Sequence, residues 1–172
     1  MITVLLVERD HDFRKGIVRQ LMTMSGFGVL EVSNETELNE ALLTRSVDVA
    51  LVGVSAGTRY QDIEIVEKIN RTKPEIPVIV MVPEKLTSLS IEAMRFGARD
   101  DIFVPFDVVE LVEKIYKVLG IKRRKKAGWK EKLERALVGI TFAEANLDKY
   151  ARGVLSEGES SSKNGESEDL DS

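Results

Sequence analysis

The chain has 172 residues, of which 43% are hydrophobic and 31% are charged. This composition supports one domain of ordinary size with a buried core, together with an extension. The sequence contains no cysteine, which excludes disulfides and thiolate metal sites and is compatible with a reducing compartment. No apolar run approaches the length of a membrane span and we expect no signal peptide, so the sequence predicts a cytoplasmic protein.

The net charge of −4 is unevenly distributed along the chain. Residues 156–172 carry six acidic groups and one lysine, which leaves residues 1–155 with a net charge of +1. The acidic stretch is rich in serine and has almost no apolar side chains. It cannot bury enough surface to offset the entropy of ordering, so we predict a disordered tail over residues 155–172.

Five apolar strands alternate with amphipathic helices as far as Gly120. Apolar runs bounded by polar segments predict strands at residues 2–7, 28–32, 47–54, 78–82 and 102–104. In the first helix Phe13, Ile17, Leu21 and Met24 share one face. The second helix buries residues 38, 41 and 42, the third covers residues 62–72, and the fourth and fifth run up to glycines at 97 and 120. Capping boxes at residues 34–37 and 107–110 open the second and fifth helices.

This alternation predicts an α/β fold in which a parallel sheet is covered by helices on both faces. Right-handed crossovers restrict the topology to a doubly wound, five-stranded parallel sheet, followed by a C-terminal helical extension. Several unrelated families share this architecture, so the pattern of elements does not assign a function.

Four segments carry a more specific signal, and they occur in a fixed order. They are VLLVERD at residues 4–10, IPVIVM at 76–81, EAMRFGARDD at 92–101 and PFD at 105–107. Together they resemble the receiver domain of bacterial two-component response regulators, over roughly residues 2–120. The resemblance implies the flavodoxin-like receiver topology for this part of the chain.

The phosphorylation site that the resemblance implies is degenerate in this chain. In the family, an aspartate at the end of the third strand accepts a phosphoryl group, an acidic pair after the first strand holds Mg²⁺, and a hydroxyl and a lysine bind the phosphoryl group. The corresponding residues here are Gly53, Glu8 with Arg9, Val82 and Val104. The resemblance therefore implies a pseudo-receiver that has lost its phosphoacceptor. We expect it to be no enzyme, to hold no metal and to use no cofactor.

Nearby residues offer few substitutes for the missing groups. The loop 54–61 is one residue longer than is usual in the family, which leaves a slip of alignment open. Asp48 lies at the start of the third strand, opposite the crevice, and Asp62 is expected to cap the next helix. Arg9 is either a fixed cation that locks the crevice or an exposed arginine whose stem lies across the surface. His11 is expected to be a solvated loop residue near a helix start.

The resemblance also implies an interaction surface on the fourth helix, fifth strand and fifth helix. Its candidate residues are Met94, Phe96, Asp101, Phe103 and Phe106. In the family this face carries partner or dimer contacts, although phenylalanine and methionine at such spacing also fill cores. Asp101 occupies the place of the family's aromatic switch residue, so the usual aromatic coupling is not expected.

The chain changes character after Gly120. A basic linker over residues 121–128 contains a run that either contacts phosphates or anionic lipid, or keeps the linker solvated: Lys122, Arg123, Arg124, Lys125 and Lys126. Residues 129–154 are predicted to form a helix with apolar residues at heptad spacing. This helix either joins two subunits or packs against its own domain or a partner. The predicted layout is thus 1–120, 121–128, 129–154 and 155–172.

These observations predict a phosphorylation-independent receiver that acts in signal transduction as an adaptor, by binding a protein partner. A homodimer, through either the C-terminal helix or the surface of the fourth helix, fifth strand and fifth helix, stays open. Three alternatives stay open. They are a DNA-associated regulator that uses the basic run, a receiver phosphorylated on an unconventional acidic residue, and a sensor with a small ligand in the emptied crevice.

Overall fold

The computed structural model describes residues 1–121. The strands of this part are β1 (Ile2–Val7), β2 (Phe27–Val32), β3 (Val49–Gly53), β4 (Val78–Pro83) and β5 (Asp100–Val104). Its helices are α1 (His11–Thr23), α2 (Glu35–Thr44), α3 (Arg59–Thr72), α4 (Thr87–Arg95) and α5 (Val108–Val118), with a short 3-10 turn at Glu84–Leu86. The predictions for the basic run 122–126, the helix 129–154 and the tail 155–172 lie outside these residues.

The five strands form one parallel sheet in the order β2-β1-β3-β4-β5. This confirms the predicted doubly wound topology. Strands β1 and β3 are direct neighbours, with Val7 opposite Val52. Because both strands run in the same direction, the residues that follow them meet at the carboxyl edge of the sheet. The residues after β1 are therefore brought beside Gly53.

The central strands are buried on both faces, as continuous apolar runs in a parallel sheet require. In β1, β3 and β4 the side chains of Leu5, Leu6, Leu51 and Ile79 have no exposed surface. Among the helices of residues 1–121, none is both long and apolar enough to cross a membrane.

The predicted helix boundaries are largely confirmed. The Asn34 side chain accepts a hydrogen bond from the Glu37 backbone N–H at 3.0 Å, although the Glu37 carboxylate binds the N–H of Ser33 rather than that of Asn34. Asp107 caps α5 by accepting from the Val109 N–H at 2.8 Å, one residue earlier than a capping box predicts. The chain leaves α4 and α5 through glycines with positive φ, as expected at 97 and 120, and Gly26 after α1 has a positive φ as well.

Several predicted boundaries were wrong, including those of β3, which covers Val49–Gly53 instead of residues 47–54, and of β2, which begins at Phe27 instead of residue 28. Helix α3 begins at Arg59 instead of residue 62, because the loop before it is closed by side-chain hydrogen bonds to Asp62. Strand β5 begins at Asp100 instead of residue 102, because two lysines neutralise this buried aspartate inside the strand. Helix α1 ends at Thr23, so Met24 lies beyond its apolar face.

Candidate functional site

The carboxyl ends of β1 and β3 form a crevice in which Glu8 lies against Gly53. Only 8% of the Glu8 surface is exposed. Its Oε1 accepts a hydrogen bond from the Asp10 backbone N–H at 2.8 Å. Its Oε2 would lie 2.0 Å from a Cβ atom added to Gly53. The Glu8 carboxyl group therefore occupies the space that any side chain at position 53 would need.

The environment of Glu8 disfavours its charged form. Burial is the main cause that raises its pKa from 4.5 to about 7, and the charges of Asp10 and Asp62 raise it further. The hydrogen bond from the Asp10 N–H opposes this shift. Near neutral pH, the carboxyl group that fills the crevice is consequently present in both protonated and ionised forms.

A second buried carboxylate, that of Asp62, organises the loop between β3 and α3. Asp62 is only 3% exposed. Its Oδ2 accepts hydrogen bonds from the Ser55 N–H at 3.1 Å and from the Thr58 hydroxyl at 2.6 Å. The prediction that Asp62 caps the next helix was therefore wrong, because its side chain binds the preceding loop. Sequence reasoning missed this role, since its partners are recognisable only once the loop has closed.

Arg9 connects this loop to the end of β1. Its Nε donates to Asp62 Oδ1 at 3.2 Å, while half of the Arg9 side chain stays exposed. Arg9 therefore combines the two predicted alternatives, a fixed cation and an exposed side chain. The guanidinium group is fixed by an ion pair across the crevice, and the rest of the side chain lies at the surface.

The other predicted positions add no polar group to the crevice. Val82 is fully buried in β4 and Val104 is partly buried at the end of β5. Neither side chain can donate a hydrogen bond. His11 is exposed, as predicted, but it is the first residue of α1 and not a loop residue. Asp48 lies before β3 and binds the Thr3 N–H at 2.7 Å, away from the crevice.

The residues around the crevice do not fit a divalent cation. Glu8 is turned against Gly53, and Asp10 caps α1 by accepting from the Phe13 N–H at 2.8 Å. Arg9 adds a positive charge at this point. Within residues 1–121, no group of three or more acidic, histidine or cysteine side chains is arranged to hold a metal ion.

A cleft of about 410 Å³ opens beside Glu8, between the ends of β1 and β2 and helix α3. Val7, Val32 and Ile65 supply its apolar part, and polar side chains supply the remainder. The Nζ of Lys68 lies 2.5 Å from Oε1 of Glu35, so an ion pair joins two of the lining residues.

The five residues predicted for the surface formed by α4, β5 and α5 (the α4–β5–α5 face) differ in their exposure, and Phe103 packs against the core. Met94 and Phe96 are exposed, and Asp101 and Phe103 are partly buried. Phe106 was predicted wrongly, since it is 7% exposed and packs edge-on against Phe13 of α1 at 6.1 Å. It lies in the turn into α5, which brings its ring under the helix layer that contains α1.

Sequence reasoning missed the most exposed apolar residue of this face, Ile91, which is 61% exposed. The signal was available, because Leu89 and Ala93 are four residues apart and both buried. Residues two positions from each of them lie on the opposite side of a helix.

The same face carries an ionic cluster that was also missed. Asp100 accepts from Lys117 Nζ at 2.7 Å and from Lys114 Nζ at 3.1 Å. Burial opposes ionisation of Asp100, but the hydrogen bonds from the two lysines outweigh it and lower the pKa of this carboxyl group. Asp101 accepts a hydrogen bond from the Ser90 hydroxyl of α4. Lysines three residues apart in a helix after an Asp-Asp strand were the available signal.

Known proteins resemble this chain over the same region. Residues 4–116 match the model of the response regulator receiver domain. The chain is 32% identical over 120 residues to the regulatory protein VirG of Agrobacterium tumefaciens (strain 15955). The aligned region covers 69% of this chain and 44% of that protein. It is 35% identical over 114 residues to a cyclic di-GMP phosphodiesterase of Thermotoga maritima, covering 66% of this chain and 30% of that protein.

The chain spans about half the length of the VirG relatives that it matches. Among solved structures, a response regulator from Thermotoga maritima superposes with a TM-score of 0.62 at 25% identity, covering 70% of this chain and 98% of that one. The family model covers well over half of the chain and includes both the crevice and most of the α4–β5–α5 face. The chain belongs to the family of response regulator receiver domains.

Proposed function

We propose that this receiver lacks the phosphoacceptor and acts in two-component signalling as a phosphorylation-independent adaptor that binds a protein partner. The observation that carries this proposal is the position of Glu8. Its carboxyl group fills the space beside Gly53, where the family's acceptor side chain would extend.

The chemistry of phosphoryl transfer supports the proposal. Transfer to a carboxylate depends on in-line positioning and on neutralisation of the phosphoryl charge. Gly53 has no side chain to attack a donor, and Glu8 is buried among acidic neighbours. The guanidinium of Arg9 is engaged by Asp62, while Val82 and Val104 can bind no phosphoryl oxygen. We therefore propose that the domain is no enzyme and uses no cofactor.

The α4–β5–α5 face supports the adaptor role. Ile91 and Met94 are one helical turn apart on α4, and both are exposed. Exposed apolar side chains close together are a common feature of protein interaction sites. We propose that this face binds a signalling protein or a second copy of the chain.

Phosphorylation is tested by incubating the full-length protein with acetyl phosphate and Mg²⁺, followed at once by intact-mass measurement. A receiver that is phosphorylated under the same conditions serves as the positive control. We expect the control alone to gain a phosphoryl group. A phosphoryl adduct on this chain that is lost at alkaline pH would contradict the proposal, since acyl phosphates hydrolyse there.

The binding face is tested by affinity capture from lysate of the source organism, with the native chain and with Met94→Glu. Leu43→Glu is the matched control, because Leu43 is a strongly exposed apolar residue on α2, away from this face. We expect Met94→Glu to lose a partner that Leu43→Glu retains. Equal capture by all three proteins would contradict a role for this face. Repeating the capture with the chain truncated after Gly120 separates the domain from the C-terminal extension.

The cleft beside Glu8 favours one second candidate, a sensor of a small ligand. Its volume of about 410 Å³ lies within the usual range of ligand sites. Thermal-shift screening of the native protein against Glu64→Ala, a residue that lines the cleft, tests this candidate. A compound that stabilises the native protein but not the variant would support it. DNA binding by the run 122–126 stays a prediction, tested by neutralising its five residues and measuring the salt dependence of binding.

A further inference from the structure

The two aspartates that open β5 connect this strand to the helices on both of its sides. Asp101 accepts a hydrogen bond from Ser90 of α4. Asp100 accepts from Lys114 and Lys117 of α5, at 3.1 and 2.7 Å. Lys114 Nζ also lies 3.9 Å from Asp101 Oδ1. These contacts form one network that includes all three elements of the α4–β5–α5 face.

Burial distinguishes this network from ordinary surface ion pairs. The side chain of Asp100 is 9% exposed, and Ser90 and Lys114 are largely buried. An isolated ion pair in water contributes little to stability, because solvent screens it and ordering the side chains costs entropy. A carboxylate that is buried with its cations is different, since removing one partner leaves a charged or polar group without a bond.

The network also holds the position that the family uses to couple the crevice to this face. Asp101 lies where the resemblance places the aromatic switch residue. A switch residue must exchange between two orientations. Here the carboxylate is bound to Ser90 on one side and faces Lys114 on the other, and either bond would be lost if the side chain turned outward.

We infer that Asp100 and Asp101, with Ser90, Lys114 and Lys117, form a polar clamp that holds α4, β5 and α5 in a single arrangement and so keeps the α4–β5–α5 face preformed. The use of this face for binding rests on the proposed function, whereas the clamp itself does not. Its consequence is that α4 does not move independently of β5, whatever occupies the crevice.

Hydrogen exchange of the full-length chain tests the clamp through a double-mutant cycle of Ser90→Ala and Asp101→Ala. We expect each single variant to reduce the protection of the α4 amides over residues 89–93 by roughly tenfold, and the double variant to reduce it no further. Both substitutions remove the same hydrogen bond between Ser90 and Asp101, so their effects on amide protection are not expected to multiply. Amides of α2, on the other side of the sheet's centre, are expected to keep their protection.

Glu31→Gln is the matched control. Glu31 also lies on an edge strand and accepts from two cations of a neighbouring helix, Lys15 at 2.9 Å and Arg14 at 3.3 Å. This variant is expected to leave α4 protection unchanged. If Asp101→Ala also left it unchanged, or if the two substitutions of the cycle acted independently, the clamp would be excluded.

Conservative variants keep the test valid if Asp101→Ala does not fold. Asp101→Asn retains the shape and weakens the bonds to Ser90 and Lys114, and Lys117→Met removes one cation that is mostly exposed. We expect Asp101→Asn to reduce the protection of the α4 amides several-fold, and Lys117→Met to reduce that of the α5 amides several-fold. Unchanged protection in both would overturn the inference. A phosphoryl adduct on the native chain would instead contradict the proposed function and leave the clamp standing.

Discussion

The crevice and the α4–β5–α5 face each contain a carboxylate that is more than nine-tenths buried, and the two differ in their neighbours. Glu8 in the crevice lies among acidic groups, with burial and the charges of Asp10 and Asp62 raising its pKa to about 7. Burial also opposes the ionisation of Asp100 on the face, but hydrogen bonds from two lysines outweigh this effect and lower its pKa. The comparison shows that cationic partners can outweigh the effect of burial on the pKa of a carboxyl group, whereas burial prevails where such partners are missing.

This difference separates the roles of the two regions. The crevice contains a carboxyl group that is uncharged in part at neutral pH and fills space beside Gly53. The face contains Asp100, whose pKa is lowered by two lysines of α5, and Asp101, which accepts a hydrogen bond from Ser90 of α4. A site for phosphoryl chemistry needs an exposed, ionised acceptor, whereas a preformed binding surface needs fixed elements. This contrast supports the proposal that the face, and not the crevice, acts in signalling.

The largest expected effect concerns Glu8 and pH. The folded-state pKa lies above the ordinary value of 4.5, so the native state retains a proton that the unfolded state releases as pH rises between about 4.5 and 7. The contribution of Glu8 to stability is therefore fully present below pH 4.5 and is lost through this window, by about 3 kcal/mol in total. Glu8→Gln, which imitates the protonated group, is expected to remove this loss.

Urea unfolding of the native chain and Glu8→Gln at pH 5 and pH 8 measures this effect. We expect similar stabilities at pH 5 and a more stable variant at pH 8. A native protein that is no less stable at pH 8 than at pH 5, relative to the variant, would show that Glu8 ionises freely and does not fill the crevice.

The next effect concerns the loop that closes the crevice. Asp62→Ala removes the acceptor of three hydrogen bonds and leaves the Ser55 N–H and the Arg9 guanidinium without a partner. We expect a loss of about 2 kcal/mol in the free energy of unfolding. Asp48→Ala is the matched control, since Asp48 is exposed and accepts a hydrogen bond from the Thr3 N–H. Equal losses in the two variants would show that the Asp62 network does not stabilise the loop.

A smaller effect is expected on the face. The lowered pKa of Asp100 stabilises the folded state above the ordinary value of 3.8, and this contribution is lost as pH falls through the lower folded-state value. Asp100→Asn is expected to cost about 1 kcal/mol at neutral pH, because one partner lysine is largely exposed and screened. The difference in the free energy of unfolding between the native chain and Asp100→Asn should become smaller as the pH is lowered. Thermal unfolding of both proteins from neutral pH to pH 3 measures this difference in stability. A difference that widens towards pH 3 would contradict a stabilising role of the ionised Asp100.

The smallest effect on stability is expected for Met94→Glu. Met94 is exposed, so the substitution should change the free energy of unfolding by less than about 0.5 kcal/mol. Its expected consequence is a loss of partner binding alone, which chemical denaturation and capture measure on the same sample. A strong destabilisation would show that Met94 belongs to the core and not to the binding face.

Local patterns were sufficient to predict the strands and most helix boundaries, because apolar runs and capping residues act over a few neighbours. They were insufficient for the groups whose partners are distant in sequence. Arg9 and Asp62 are 53 residues apart, and Glu8 meets Gly53 only because β1 and β3 are neighbours in the sheet. Phe106 was wrongly predicted to lie on the surface for the same reason. The ring against which it packs, that of Phe13, belongs to α1 and is distant in sequence.

The direct test of the account is the response of the crevice to the ions that a phosphorylatable receiver binds. Amide chemical shifts of the isotope-labelled full-length chain are measured during titration with Mg²⁺, and then with beryllofluoride, a mimic of the acyl phosphate. We expect no saturable shifts at Glu8, Gly53 or Val54. Saturable shifts at these residues, with tight binding of Mg²⁺ or of beryllofluoride, would contradict it.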